Sequence, residues 1–267
     1  MHTVKGDWGR GAVTELGACV VSWSPAGFGE QLFLARDAAL VPGETWHGGV
    51  PICAPWFGSG TGEWTVPHIH GLVSRVPWRV LSLREDDDCA RIELAVSAAE
   101  TAHLAGADRY PDDLAYSLSV EMGRRLRLAL TIASPSRQVT VDQAFHPYLA
   151  VQANQAQLTG LEGLRFRDYA ADGGPTSQSS PVRFGRYVDR VYDGAPTTLL
   201  SDGPRSLAMS GTGAGSVVVW NPGPGGDQVG DEWASFACVE YGNVQNRAVV
   251  LPAGGTHTLA LTITPGR

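Results

Sequence analysis

Arg125-Leu126-Arg127-Leu128-Ala129-Leu130-Thr131-Ile132 places an aliphatic residue at every second position. Side chains of a strand point alternately to its two faces, so this segment reads as a strand with one buried and one wet face. That alternation is the habit of antiparallel sheets. It recurs in Arg91–Val96, where Ile92, Leu94 and Val96 alternate with Arg91, Glu93 and Ala95, and again at Leu259, Leu261 and Ile263. Val217–Trp220 is instead a short continuous apolar run, which predicts a central strand covered on both sides. Turn signals separate the runs: Ser24-Pro25, Pro42-Gly43, Pro111-Asp112-Asp113, Ser134-Pro135-Ser136, Asp202-Gly203-Pro204 and Pro252-Ala253-Gly254-Gly255. Helix signals are scarce, and Ser97–Asp108 reads as one short helix ended by the Pro111 region. The pattern predicts an all-β protein, a large antiparallel β-sandwich with very few short helices. All-β folds of this size often form one domain, so residues 1–267 are expected to be a single unit. Ala171–Pro181 and Asn221–Glu232 read as long loops.

Composition narrows the function classes. Charged residues make up 18% against roughly 25% in an average globular chain, which excludes a largely disordered protein. With 20 basic and 27 acidic residues and no basic tract, no nucleic-acid partner is expected. No window approaches the ~18 apolar residues of a membrane span, and Met1–Arg10 lacks an apolar signal core. The expectation is a cytoplasmic protein without a membrane partner. Cys19, Cys53, Cys89 and Cys238 are far apart and form no CxxC pair, so they read as reduced thiols rather than a zinc cluster.

Four segments depart from plain strand-and-turn sequence. His47–Gly58 (HGGVPICAPWFG) holds adjacent glycines, two prolines and two aromatics, the make-up of a structured loop. Pro67–Trp78 (PHIHGLVSRVPW) brings His68, His70 and Arg75 together. On a strand the two histidines would share a face at metal-ligand spacing, but no further ligands suggest themselves, so no metal is expected. In Val141–Val151, His146 lies between Phe145 and Pro147 and is either a structural histidine or a proton-transfer group. In Phe236–Val244 (FACVEYGNV), Glu240 sits in an apolar run as an outward residue, an ion-pair partner or a pocket carboxylate whose pKa burial would raise.

The segments GGVPICAPWFG, HGLVSR, HPYLAV and CVEYGNV occur in that order, with Tyr110-Pro111, Asp189-Arg190-Val191-Tyr192 and Val219-Trp220-Asn221-Pro222 between them. The array resembles the galactose-mutarotase-like superfamily and, within it, the hexose-6-phosphate mutarotase (glucose-6-phosphate 1-epimerase) branch. The likeness runs from about residue 15 to the C-terminal strand. It implies an antiparallel sandwich with a sugar site on one concave sheet. It also implies anomer exchange of a hexose or hexose 6-phosphate without a redox or metal cofactor. Glu240 aligns with the family's base at the anomeric O1 hydroxyl and His146 with the general acid at ring oxygen O5. His70 aligns with a histidine near the ring oxygen and Asp189 with an aspartate that holds sugar hydroxyls. Arg75 aligns with the arginine of an HGFAR-like motif in a phosphate-binding cluster. His47 stands where the branch usually has arginine, which implies a weaker phosphate grip. Ala54 replaces a common Trp, and Gly223-Pro224-Gly225-Gly226 follows Asn221-Pro222 where Trp is frequent. The altered loop leaves one alternative, a non-catalytic carbohydrate-binding or sensor protein on the same scaffold. Retention of both Glu240 and His146 weighs against it.

Overall fold

The computed structural model describes residues 1–60, 64–203, 205–226 and 229–266. Two large antiparallel sheets stack as a sandwich. One has nine strands, in the order Val182–Arg183, Gln157–Thr159, Thr198–Ser201, Ser206–Thr212, Gly255–Gly266, Leu126–Ser134, Ala115–Gly123, Cys89–Ser97 and Arg79–Glu85. The other runs Pro175–Ser177, Arg165–Asp168, Val188–Asp193, Ser216–Asn221, Phe236–Asn243, Gln143–Phe145 and Ile52–Cys53, with Tyr148–Ala150 also paired to Phe236–Asn243. Smaller sheets form from His2–Gly6, Gly9–Val13 and Val20–Pro25, and from Val249–Leu251 with Val139–Val141.

The alternating segment behaves as its sequence dictates. Leu126, Leu128, Leu130 and Ile132 are at most 1% exposed, and each such burial contributes about 1.5–3 kcal/mol. Register places Leu128 beside Val120 and Leu261, and Leu130 beside Leu118 and Leu259, so the apolar stripe continues across strands. Val217, Val219, Ala237, Val239 and Tyr241 of the second sheet share that core. The Tyr241 hydroxyl ties the layers together, donating to the carbonyls of Pro196 (2.7 Å) or Met209 (2.9 Å). Val217–Trp220 lies within the central strand Ser216–Asn221, with neighbours on both sides, as its unbroken apolar run predicts.

Two local expectations need correction. The helix extends only over Ala98–Thr101, where the Glu100 carboxylate accepts the Ser97 backbone N–H at 2.8 Å. Gly106 then takes φ +89°, which breaks the helical path before the 3₁₀ turn Ala107–Arg109. The Ala171–Pro181 segment is not all loop: Pro175–Ser177 forms an edge strand whose three residues are all exposed, so no apolar alternation announced it. Within Asn221–Glu232, a 3₁₀ helix begins at Gly230; Asp227 and Gln228, like Pro204 of the Asp202-Gly203-Pro204 turn, lie outside the described residues. All four cysteines are buried and unpaired by disulfides. Among the described residues, no helix is long and apolar enough to cross a membrane.

Candidate active site

Strand parity builds one wall of a cavity of about 450 Å³. Glu240 pairs with Val218, Val218 with Val191, and Trp220 with Asp189, so these side chains share the face opposite the core. Asp189, Val191, Val218, Trp220 and Glu240 all line the cavity.

The facing wall comes from loops stitched to the sheet. The His146 backbone N–H donates to the Pro51 carbonyl and the Tyr148 N–H to the Gly49 carbonyl, each at 2.9 Å. This close approach depends on glycine. A Cβ on Gly49, at φ +68°, would lie 2.5 Å from the Val20 carbonyl oxygen. Asp142 adds a second clamp, its carboxylate accepting the Phe57 N–H (3.2 Å) and the Gln245 N–H (3.1 Å). Phe57 and Gln245 both line the cavity, and burial raises the Asp142 pKa to about 6.

The two sequence-predicted proton-transfer groups meet here. His146 Nε2 lies 3.4 Å from Glu240 Oε1, the two side chains 8% and 1% exposed. Both Glu240 oxygens and His146 Nδ1 lack a hydrogen-bond partner. The imidazole stacks on Tyr148 (4.9 Å between centroids, 14° between planes) and meets Trp220 and His70 edge-on. Burial pushes Glu240 well above the usual carboxylate range, reinforced by the Asp189 charge. Burial pushes His146 well below the imidazole range, reinforced by His70 and His47. Both shifts favour the uncharged forms, a carboxylic acid beside a neutral imidazole.

His70 also lines the cavity, but from a turn at φ +64° rather than from a strand. Its Nδ1 accepts the Gly58 N–H at 3.3 Å, which leaves Nε2–H as a donor. Burial, then Arg75 and His47, lower its pKa to about 4, so it stays neutral. His68 shares no face with it: its ring stacks on Trp56 at 5.2 Å. Asp189 accepts a hydrogen bond from the Tyr187 hydroxyl at 3.0 Å, while burial raises its pKa. His47 lines the cavity, and burial lowers its pKa against the opposing pull of Asp37.

Arg75, which the resemblance places in a phosphate-binding cluster, is not among the residues that line this cavity. It closes the 3₁₀ turn Val73–Arg75, and its neighbour Ser74 faces the cavity instead. The guanidinium donates to the carbonyls of Gly43 (2.6 Å) and Ile69 (3.3 Å), so it staples two loops. Nothing in the alternation of a strand could reveal this, because the turn is not a strand. The sequence reading also passed over Trp46, Ser74 and Tyr148 as individual contributors; for Tyr148 the available signal was its place two residues after His146. Among the described residues, no three His, Cys, Asp or Glu side chains come together as metal ligands.

The aldose 1-epimerase family profile matches residues 6–264. The Escherichia coli K12 protein named "Putative glucose-6-phosphate 1-epimerase" is 29% identical over 234 residues, covering 84% of this chain and 76% of its own length. A Cenchrus ciliaris protein of the same name is 27% identical over 256 residues, covering 88% and 75%. The crystal structure of YeaD from Salmonella typhimurium superposes with a TM-score of 0.87 at 24% identity, covering 99% of this chain and 90% of that one. Slr1438 from Synechocystis gives 0.82 at 17% identity, covering 99% and 95%, and at this identity the likeness is one of fold. With the profile spanning nearly the whole sandwich, this chain belongs to the aldose 1-epimerase family.

Proposed function

We propose that the protein is a cofactor-independent mutarotase that interconverts the α and β anomers of a hexose, with Glu240 and His146 as its acid–base pair. The observation that carries this reading is the 3.4 Å approach of Nε2 to Oε1 inside one cavity. Glu240 takes the proton from the O1 hydroxyl, the C1–O5 bond breaks, and His146 gives a proton to O5. Rotation about C1–C2 presents the other aldehyde face, and the steps reverse. The reactive form has an ionised Glu240 and a protonated His146. It carries the same number of protons as the uncharged pair and differs only in which group holds one of them. Each well-placed transfer group is worth about 10²–10⁴-fold. His70 Nε2–H donates to a sugar oxygen near the ring, and Asp189 accepts from hydroxyls. Tyr148 and Trp220 supply apolar walls for the pyranose.

The curated relatives are named for glucose 6-phosphate, which makes it and its free hexose the first substrates to assay. NMR saturation transfer or polarimetry on fresh α anomers tests the reading. Exchange no faster than in buffer, across phosphorylated and free sugars alike, rejects it. Tight sugar binding under those conditions would identify a carbohydrate-binding protein instead.

The pH profile follows from the pair. His146 is depressed, so it takes a second proton only well below the ordinary imidazole pKa of about 6.5. Glu240 is raised, so it gives up its proton only well above the ordinary carboxylate range. The expected kcat/KM profile is flat through pH ~6.5, with its acid limb displaced below that value. An inflection centred near the ordinary imidazole value would show that His146 does not carry the proton.

A further inference from the structure

We infer that Gln245 is a further sugar-binding residue of this cavity, its side-chain amide donating to a ring hydroxyl that takes no part in the reaction, with Asp142 and Tyr169 holding it in place. This rests on the mutarotase reading above, in which Glu240 and His146 serve O1 and O5.

The backbone is the first sign. Gln245 opens the 3₁₀ helix Gln245–Arg247 that follows the Glu240 strand, Phe236–Asn243, and it lines the cavity. Its φ is +56°, in the left-handed region where a Cβ crowds the backbone and where glutamine does not settle readily. Among the described residues, three other than glycine have a positive φ. Two of them, His70 and Gln245, line the cavity, and the third, Ala18, sits between the lining residues Gly17 and Cys19. Backbone strain gathers at ligand sites and persists only where surrounding contacts hold it. Here Asp142 does so: it is 5% exposed, and its carboxylate accepts the Gln245 N–H at 3.1 Å and the Phe57 N–H at 3.2 Å. Glycine would take this backbone without strain. What glutamine adds at the position is its amide.

The side chain is the second sign. The Tyr169 hydroxyl donates to Gln245 Oε1 at 3.0 Å. Tyr169 follows the strand Arg165–Asp168, and its own N–H donates to the Asp189 carbonyl at 2.7 Å. Two strands, Val188–Asp193 and Ser216–Asn221, lie between Arg165–Asp168 and Phe236–Asn243. The tyrosine–glutamine bond therefore reaches across both, over the face from which Val191 and Val218 line the cavity. With Oε1 taken by the tyrosine, Nε2 makes no hydrogen bond among the described residues and is left as a neutral donor. A hydroxyl both donates and accepts. Asp189 can take the proton of one, but its lone pairs need a donor, and an amide supplies that without adding charge.

The test is saturation-transfer NMR on the wild-type protein and on Gln245→Gly, with the buffer rate subtracted. The probes are glucose or glucose 6-phosphate, whichever exchanges faster, and its 2-, 3- and 4-deoxy analogues. Glycine suits the backbone, so Tm should not fall. KM should rise roughly tenfold with kcat within about twofold, the loss of one ground-state hydrogen bond. Trp46 Nε1 and Ser74 Oγ are also buried at the cavity without partners, so an analogue can lose a contact elsewhere. A cycle separates the two cases. One analogue should be roughly five- to tenfold poorer than its parent on the wild type and carry no such penalty on Gln245→Gly. The analogue's intrinsic reactivity cancels in that comparison. Equal penalties on both proteins, or an unchanged KM, overturn the inference. Gln245→Glu keeps the acceptor for Tyr169 and removes the N–H; its KM should rise as in the glycine variant, and a wild-type KM overturns the donor role. Tyr169→Phe should raise KM severalfold alone and add nothing to Gln245→Gly, whereas a full separate effect removes Tyr169 as its support. If the wild type exchanges no sugar, the mutarotase reading fails. Sugar affinity by ligand-detected NMR then decides for Gln245 alone: it should weaken roughly tenfold in Gln245→Gly, and unaltered affinity overturns the inference.

Discussion

Replacing Glu240 with glutamine should lower anomer exchange by about 10²–10⁴-fold while the sandwich stays folded. The substitution keeps shape and volume and removes only the proton-accepting carboxylate. Both Glu240 oxygens lack hydrogen-bond partners and its basic neighbour His146 is itself held toward its neutral form, so the ionised form is costly to hold in this site. Its folded pKa is raised above its unfolded value. The native state therefore holds the proton more tightly, and this stability is present at low pH and lost as pH rises through the folded pKa. Glutamine does not titrate, so the Tm of Glu240→Gln should match or exceed the wild type at neutral pH, and the gap should widen from acid to alkaline conditions. Near wild-type exchange in a folded Glu240→Gln protein would remove this residue from the mechanism. A large fall in Tm would show instead that the carboxylate is a structural anchor.

His146→Asn should lose a comparable factor, about 10²–10⁴-fold, because it removes the imidazole that lies 3.4 Å from Glu240 and gives its proton to O5. Unlike the first substitution it also removes ring volume stacked on Tyr148, so a stability loss of about 1–3 kcal/mol accompanies it. Sugar binding, followed by ligand-detected NMR, separates the two effects: binding should persist while exchange disappears. The double variant completes the argument. If the two groups act as one unit, Glu240→Gln with His146→Asn should be only slightly slower than either alone. Multiplying losses would show two independent contributions.

The fold was legible wherever one sheet face is wet. Leu126, Leu128, Leu130 and Ile132 declare their strand because Arg125, Arg127 and Thr131 alternate with them. The site strand is harder to read. All eight residues of Phe236–Asn243 are buried, so polarity does not tell which face carries Glu240. Only pairing does that, by setting Glu240 beside Val218 and Trp220 beside Asp189. The motif likeness brought Glu240, His146, His70, Asp189 and His47 to one cavity, yet their roles there still rest on the experiments above. It named Arg75 as well, which is not among the residues lining that cavity and instead bonds the Gly43 and Ile69 carbonyls, a placement set by loop packing that a motif does not carry. Trp46 and Ser74 escaped notice because an unpartnered donor is a property of packing and has no sequence signature.

The buried cysteines give the molecule a built-in spectator. Burial holds the Cys19 thiol at a pKa of about 12, keeps Cys53 and Cys238 well above the ordinary range, and raises Cys89 more modestly. Thiolate is the nucleophile, so alkylating reagents find little to attack until the chain opens. Because Cys19 and Cys53 border the cavity, the pace of their labelling reports how often that region breathes, with no engineered probe.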